Sequence, residues 1–264
     1  MTQEQRLNEL LDAFKTESEE YRSLKTPEDT DDKRRLLRSL MNIRMPRPLT
    51  AETLRLQDAY LRTRAEEKGI VELREIPLIR DGLSLWQGDI TRLAADAIVN
   101  AANSRMLGCF RPCHSCIDNC IHTYAGVQLR AECAGQMEKL RLRFGQDYEQ
   151  PTAVPMLTDG YNLPAKKIVH VVGPIVESRL TAEHEQQLAD CYRNTLGLCA
   201  ENGLRSVAFC AISTGVFRFP KKRAAEIAVD TVSAWLREHP GQIERVIFTV
   251  FSDESRELYE QILR

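Results

Sequence analysis

The sequence predicts an α/β protein in three layers, with helices on both faces of a mixed sheet and a small helical unit in front. Three observations lead there. Helix-period apolar stripes with almost no strand signal fill the first quarter of the chain. From about residue 73, short apolar runs alternate with helical stretches, the pattern that builds layered α/β folds. The 264 residues are 43% hydrophobic, enough to bury the core of one large domain with an appendage.

In residues 1–72, Leu7, Leu10, Leu11 and Phe14 share one helical face. Leu36, Leu37, Leu40 and Met41 form a second stripe, and Leu54, Tyr60 and Leu61 a third. The polar break Thr26-Pro-Glu-Asp-Thr-Asp-Asp can start the second helix, and Met45-Pro-Arg-Pro-Leu-Thr50 separates it from the third, with Thr50 as N-cap. No function can be read from this extension. In residues 73–264 we expect strands over 83–86, 97–99, 168–172, 207–212 and 246–251. Helices are expected over 116–124, 127–142, 183–202, 221–238 and 253–263. The fourth of these repeats Ala224, Ala225, Ile227, Ala228, Val232 and Trp235 at helical spacing. Sites in such folds gather where the strands end.

Charge is balanced, 36 Lys+Arg against 38 Asp+Glu for a formal net of −2, which argues against a nucleic-acid binder with a basic face. No apolar run approaches the roughly 18–20 residues of a membrane span, and the polar start Met-Thr-Gln-Glu-Gln-Arg does not resemble a signal peptide. A cytoplasmic protein is expected. There, eight cysteines lean toward metal or redox chemistry over disulfides. Cys191, Cys199 and Cys210 lie in apolar patterns and read as small core residues, while Cys133 has no evident partner.

Four cysteines and one histidine fall within Cys109-Phe-Arg-Pro-Cys113-His114-Ser-Cys116-Ile-Asp118-Asn119-Cys120. Cys109, His114 and Cys116 supply three zinc-type ligands within eight residues, and three protein ligands leave a fourth position open. Adding Cys113 or Cys120 would close the shell and make the site structural. The cysteine spacing matches no common iron–sulfur pattern. Cys116 is placed at a helix start, where the dipole favours a thiolate. His122, one turn after Asp118, reads more readily as a packing residue than as a ligand.

Other segments are weak singly. Gly88-Asp89 after a strand reads as a turn, and Asn100 and Asn103 around two alanines also fit turns. Ser213-Thr214-Gly215-Val216-Phe217-Arg218-Phe219-Pro220 joins an apolar strand to a helix start, an arrangement suited to anions, without a Walker or three-glycine fingerprint.

Together these segments resemble the macrodomain family of ADP-ribose-recognising modules. The likeness runs through Trp86-Gln-Gly-Asp-Ile-Thr91, Ala97-Ile-Val-Asn-Ala-Ala-Asn103, Gly160-Tyr-Asn-Leu-Pro164, Ile168-Val-His-Val-Val-Gly-Pro174 and Ser213 to Pro220, in the family's order. Where ordinary macrodomains carry a glycine-rich stretch, this chain has Leu107-Gly-Cys-Phe-Arg-Pro-Cys-His-Ser-Cys-Ile-Asp-Asn. In this it resembles the zinc-dependent macrodomains, microbial protein-ADP-ribose hydrolases with an N-terminal helical extension.

The resemblance implies a macrodomain over residues 73–264 and one Zn²⁺ held by Cys109, His114 and Cys116 beside the proximal ribose, with Cys113 and Cys120 as bystanders. It implies that Asp89, with the Ile90 backbone, reads adenine stacked near Phe251. Asn103, with Asn100 behind it, would face the ribose, and Ser213, Thr214, Gly215, Val216 and Phe217 would wrap the diphosphate. Catalytic roles would fall to Asn103 and Asp118, the latter orienting water or a ribose hydroxyl unless it merely caps its helix. The metal would polarise an oxygen of the substrate or activate a water. The implied substrate is a mono-ADP-ribosylated protein, with a lipoylated carrier protein as a family-level partner; neither nucleic acid nor membrane is expected, and a monomer is. The rivals are an O-acyl-ADP-ribose deacylase and a non-catalytic ADP-ribose reader with structural zinc.

Overall fold

A computed structural model describes residues Met1–Arg264. Four helices come first: α1 (Gln3–Lys15), the short α2 (Glu19–Arg22), α3 (Thr30–Ile43) and α4 (Ala51–Lys68). Polar caps fix the starts of α1, α3 and α4. Thr2 and Gln5 close a capping box on α1, Asp29 accepts from the Asp31 and Asp32 N–H groups, and Thr50 accepts from Thr53 N–H. Leu7, Leu10, Leu11 and Phe14 of α1 meet Leu37, Leu40 and Met41 of α3 and Tyr60 and Leu61 of α4 in a core of their own. The short α2 carries no apolar stripe in the sequence: three of its four residues are charged, and only Tyr21 packs, partly buried, against this core.

The remainder is built on β1 (Leu83–Gln87), β2 (Ala97–Ala102), β3 (Met156–Asp159), β4 (Lys167–Val172), β5 (Ser206–Phe209) and β6 (Arg245–Val250). They form one sheet in the order β1-β6-β5-β2-β4-β3, parallel throughout except for β3 against β4. The mixed three-layer class is therefore as expected. Helices α5 (Ile117–Ala125) and α6 (Val127–Phe144) cover one face, and α7 (Ala182–Glu201), α8 (Lys221–Glu238) and α9 (Asp253–Leu263) the other. Strand residues alternate between the two cores: Ala97, Val99, Val207 and Phe209 pack toward α7 and α8, while Ile98, Ile168, Ala208 and Ile247 pack toward α5 and α6. Both faces are buried, so the strands read as unbroken apolar runs. No helix is long and apolar enough to cross a membrane.

Three differences from the sequence reading matter. The edge strand β3 was missed, since four residues between Pro155 and Gly160 carry little periodicity and gain their order from β4. Strand β2 runs to Ala102, so Asn100 lies inside the sheet, paired with His170, and not in a turn. Strand β5 ends at Phe209, freeing the following residues to carry the loop toward α8. Cys191 and Cys199 are fully buried as core residues, while Cys210 is half-buried and packs against both cores.

Two glycines make contrasting tests. A Cβ on Gly160 would lie 1.9 Å from the Ala165 carbonyl oxygen, so Gly160→Ala should lower stability by about 1–3 kcal/mol, read as a lower urea midpoint. A Cβ on Gly135, mid-α6, would meet nothing within 4 Å. There Gly135→Ala should raise stability by about 0.5–1 kcal/mol.

Candidate functional site

Because β1, β6, β5, β2 and β4 run parallel, their carboxyl ends share one edge. That edge delivers Asp89 after β1, Phe251 after β6, the 213–217 loop after β5 and Asn103 after β2. Residues separated by as much as 162 positions in the chain meet there because of topology alone.

At one end, Asp89 opens a 3-10 turn, and its Oδ1 accepts from Thr91 N–H at 3.0 Å and Thr91 Oγ1 at 2.6 Å. Its Oδ2 accepts from Lys68 Nζ at 2.5 Å. Burial pushes the Asp89 carboxyl up, but the Lys68 hydrogen bond and charge, with the Thr91 bonds, outweigh it and leave the group below its ordinary value. Lys68 is the last residue of α4, and its ammonium also lies 3.6 Å from the Tyr124 ring centroid. Sequence reading missed Lys68 because no local pattern ties it to Asp89. The Ile90 N–H has no partner within the chain. Phe251 is 82% exposed and Val216 75%, two large apolar side chains without cover on this rim.

The 213–217 loop follows β5 in a strained path. Ser213 and Arg218 have φ of +63° and +59°, values that non-glycine residues take only when held. Phe219 N–H to Ser213 carbonyl and Arg218 N–H to Gly215 carbonyl, both 3.0 Å, pin the turn. The Gly215, Val216 and Phe217 N–H groups donate to nothing in the chain, leaving three backbone donors for an anion. The Ser213 hydroxyl is buried without a partner, and a Cβ on Gly173 would come within 2.1 Å of it.

On the other side of β2, Cys109 Sγ and His114 Nδ1 lie 3.6 Å apart, and with Cys116 Sγ all three atoms fall within 4.8 Å of one another. Zinc bonds of about 2.3 Å to sulfur and 2.0–2.1 Å to nitrogen, set tetrahedrally, give a sulfur–nitrogen edge of about 3.5 Å, so the donor set fits. Cys113 Sγ turns away to the Arg35 carbonyl and Ser39 Oγ, and Cys120 Sγ to Arg38. Neither joins the three. Cys116 is the N-cap of α5 and accepts from Asn119 N–H at 3.4 Å. The dipole does not decide its thiol, contrary to the sequence reading: burial pushes it up to about 12, with Cys109 and Asp118 adding to the rise against the Asn119 bond. A coordinated metal ion would reverse this, because a coordinating thiol is deprotonated outright.

Asp118 does not cap its helix. Its Oδ1 accepts from Asn100 Nδ2 at 2.8 Å and its Oδ2 from Asn103 Nδ2 at 3.2 Å. Burial pushes its carboxyl up to about 6, opposed by the Asn100 amide, the Arg130 charge and the Asn103 amide. Asn100 is fully buried behind Asn103, and its amide also meets His170 Nδ1 at 3.0 Å. His170 Nε2 in turn meets Thr158 Oγ1 at 2.9 Å. Burial holds His170 neutral, down to about 3, so Nδ1 accepts from the amide and Nε2 donates to Thr158. The sequence did carry a signal for His170, the one polar residue within the apolar strand Ile168–Val172, yet it was not singled out.

His122 is also neutral, lowered chiefly by burial and further by the Arg130 charge, with both ring nitrogens unpartnered. Together with Cys133 and His170 it forms a second, wholly buried group of three donor atoms. There the His170 nitrogen nearest Cys133, at 3.9 Å, is already bonded to Thr158. The group reads as core packing beneath Asp118.

Comparison with known proteins agrees with this geometry. The Macro domain family matches residues 99–228. A protein-ADP-ribose hydrolase of Treponema medium is 46% identical over the full length of both chains. One from Staphylococcus aureus strain Mu50 is 42% identical over 98% of this chain and 95% of its own. Among solved structures, a Trypanosoma brucei macrodomain in complex with ADP-ribose superposes with a TM-score of 0.66 at 28% identity, covering 86% of this chain and 95% of its own. An Oceanobacillus iheyensis macrodomain with ADP gives 0.60 at 35% identity, covering 71% and 93%. The carboxyl-edge site, the six-stranded mixed sheet and these full-length similarities place the chain in the macrodomain family, alongside the protein-ADP-ribose hydrolases.

Proposed function

We propose that this protein is a hydrolase that removes ADP-ribose from mono-ADP-ribosylated proteins, with one zinc ion held by Cys109, His114 and Cys116. One observation carries the reading: three zinc-type donor atoms and a buried carboxylate share the first turn of α5 and the loop before it, on the same sheet edge as three free backbone donors. The names of the full-length relatives agree with such an activity.

In this reading Asp89 and the Ile90 N–H take the adenine edge, with Phe251 offering an uncovered ring to stack. Gly215, Val216 and Phe217 N–H groups bind the diphosphate, with Ser213 and Thr214 shaping the turn. Asn103 faces the proximal ribose while Asn100, locked by His170, holds Asp118 in place. Zinc, when bound, would polarise a substrate oxygen or lower the pKa of a water. Asp118 would receive or orient the proton of that water or of a ribose hydroxyl, since burial places its carboxyl near neutrality.

The direct test is turnover on a mono-ADP-ribosylated protein after chelation and after adding zinc back. Turnover should vanish on chelation and return with zinc; full activity in metal-free protein would rule the reading out. ADP-ribose bound without any release would instead identify a reader.

Variants should separate the parts. Asp89→Ala should weaken ADP-ribose binding by about 10–100-fold, as expected for losing a hydrogen bond to a charged group, with zinc content unchanged in the same calorimetric samples. Asp118→Asn should keep both zinc and ADP-ribose but lower kcat by about 10²–10⁴-fold. Cys116→Ala should lose zinc and turnover together, as measured by metal analysis beside the activity assay.

A further inference from the structure

One pair of residues, Asn119 and Arg38, contacts all three candidate zinc ligands. Asn119, fully buried on α5, donates its Nδ2 to the Cys109 carbonyl at 3.3 Å and to the Arg111 carbonyl at 2.9 Å. Its backbone N–H points at Cys116 Sγ, 3.4 Å away. Its Oδ1 accepts from Arg38 Nη2 at 2.7 Å and Nε at 3.3 Å, and the same Nη2 donates to the His114 carbonyl at 2.7 Å. Arg38 Nη2 also meets Cys120 Sγ at 3.5 Å, a thiol outside the group of three donors.

Arg38 comes from α3, in the helical extension, 81 residues before Asn119. Four residues further along α3, Asn42 accepts from the Cys113 N–H at 2.9 Å and donates to Thr123 Oγ1 at 2.9 Å. Cys113 has φ of +53°, so the turn between Cys109 and His114 sits in a conformation that needs outside support. Arg130 completes the attachment: its Nε donates to the Leu107 carbonyl at 2.8 Å, and its Nη1 to the Asn42 carbonyl at 2.8 Å.

A short loop carrying three ligands would lose much conformational freedom on coordination unless it were already ordered. Groups that orient ligands from outside commonly set metal affinity as strongly as a ligand does. We propose that the N-terminal extension is the outer half of the zinc site. Arg38, acting through Asn119, is a positioning residue that presets Cys109, His114 and Cys116 for the metal. The inference rests on the zinc reading above and gives the extension a function that its sequence does not suggest. The planar guanidinium is needed because Nε and Nη2 grip the Asn119 amide oxygen together while Nη2 also serves the His114 carbonyl, a fixed fork that a lysine ammonium does not reproduce.

The test is competition for zinc between a chromogenic chelator and the full-length chain, stripped of metal and reloaded. Arg38→Ala and Asn119→Ala should each lower zinc affinity by about 10–100-fold, and Arg38→Lys should restore only part of it. Leu10→Ala, in the extension core and away from the loop, serves as the control that loosens the extension without touching Arg38's partners. It should lower thermal stability while moving zinc affinity far less than Arg38→Ala does. Unchanged zinc affinity in Arg38→Ala, or an equal loss in Leu10→Ala, would overturn the positioning role while leaving the metal site intact. Absence of zinc binding by the unmodified chain, with no difference from Cys116→Ala, would remove the metal reading itself and this inference with it.

Discussion

A carboxylate buried on the first turn of α5, against the end of β2, constrains everything near it. Asp118 is 5% exposed, and a buried acid needs partners that satisfy its oxygens. The Asn100 and Asn103 amides supply them, which obliges Asn100 to sit inside the sheet as part of a strand. An amide there needs its own second acceptor, which His170 provides from β4, with Thr158 of β3 beyond. One acid at the rim thus accounts for a line of polar residues across three strands of an otherwise apolar face. Each donor and acceptor along this line meets the next, apart from the Asn100 amide oxygen, and the chain of bonds restrains Asp118.

The same edge also depends on the extension. Lys68 holds Asp89 at one end, while Arg38 and Asn42 hold the loop from Cys109 to Cys116 near β2. These contacts link residues far apart in sequence, and each is made by a polar side chain of a unit whose own core is separate. The helical unit is therefore one wall of the site, in addition to being a packed appendage. Gln57, fully buried between Gln128 and the Val127 N–H, fastens it to the start of α6.

Much of this was legible in the sequence. The alternation of apolar runs with helical stretches gave the layered class, because burial on both sheet faces demands it. The cysteine loop was visible because three borderline ligands fell within eight residues, and the structure brings those same three together while turning Cys113 and Cys120 toward α3. What could not be read was long-range pairing. Lys68, Arg38 and Asn119 look like ordinary polar helix residues, and only tertiary contact distinguishes them. Asn100 resembled a turn residue because an amide in a buried strand is rare unless something fixes it there. The Cys116 thiol followed burial over the dipole, a balance that depends on packing no local sequence reports.

The proposed zinc site has three protein ligands and one position open toward the ribose. X-ray absorption at the zinc edge of the loaded full-length chain measures this directly. Such a site gives two sulfurs at about 2.3 Å and one histidine nitrogen at about 2.0–2.1 Å, completed by a light oxygen donor whose signal changes when ADP-ribose is added. A shell of three or four sulfurs, with Cys113 or Cys120 closing it and no response to ADP-ribose, would contradict the claim and make the metal structural.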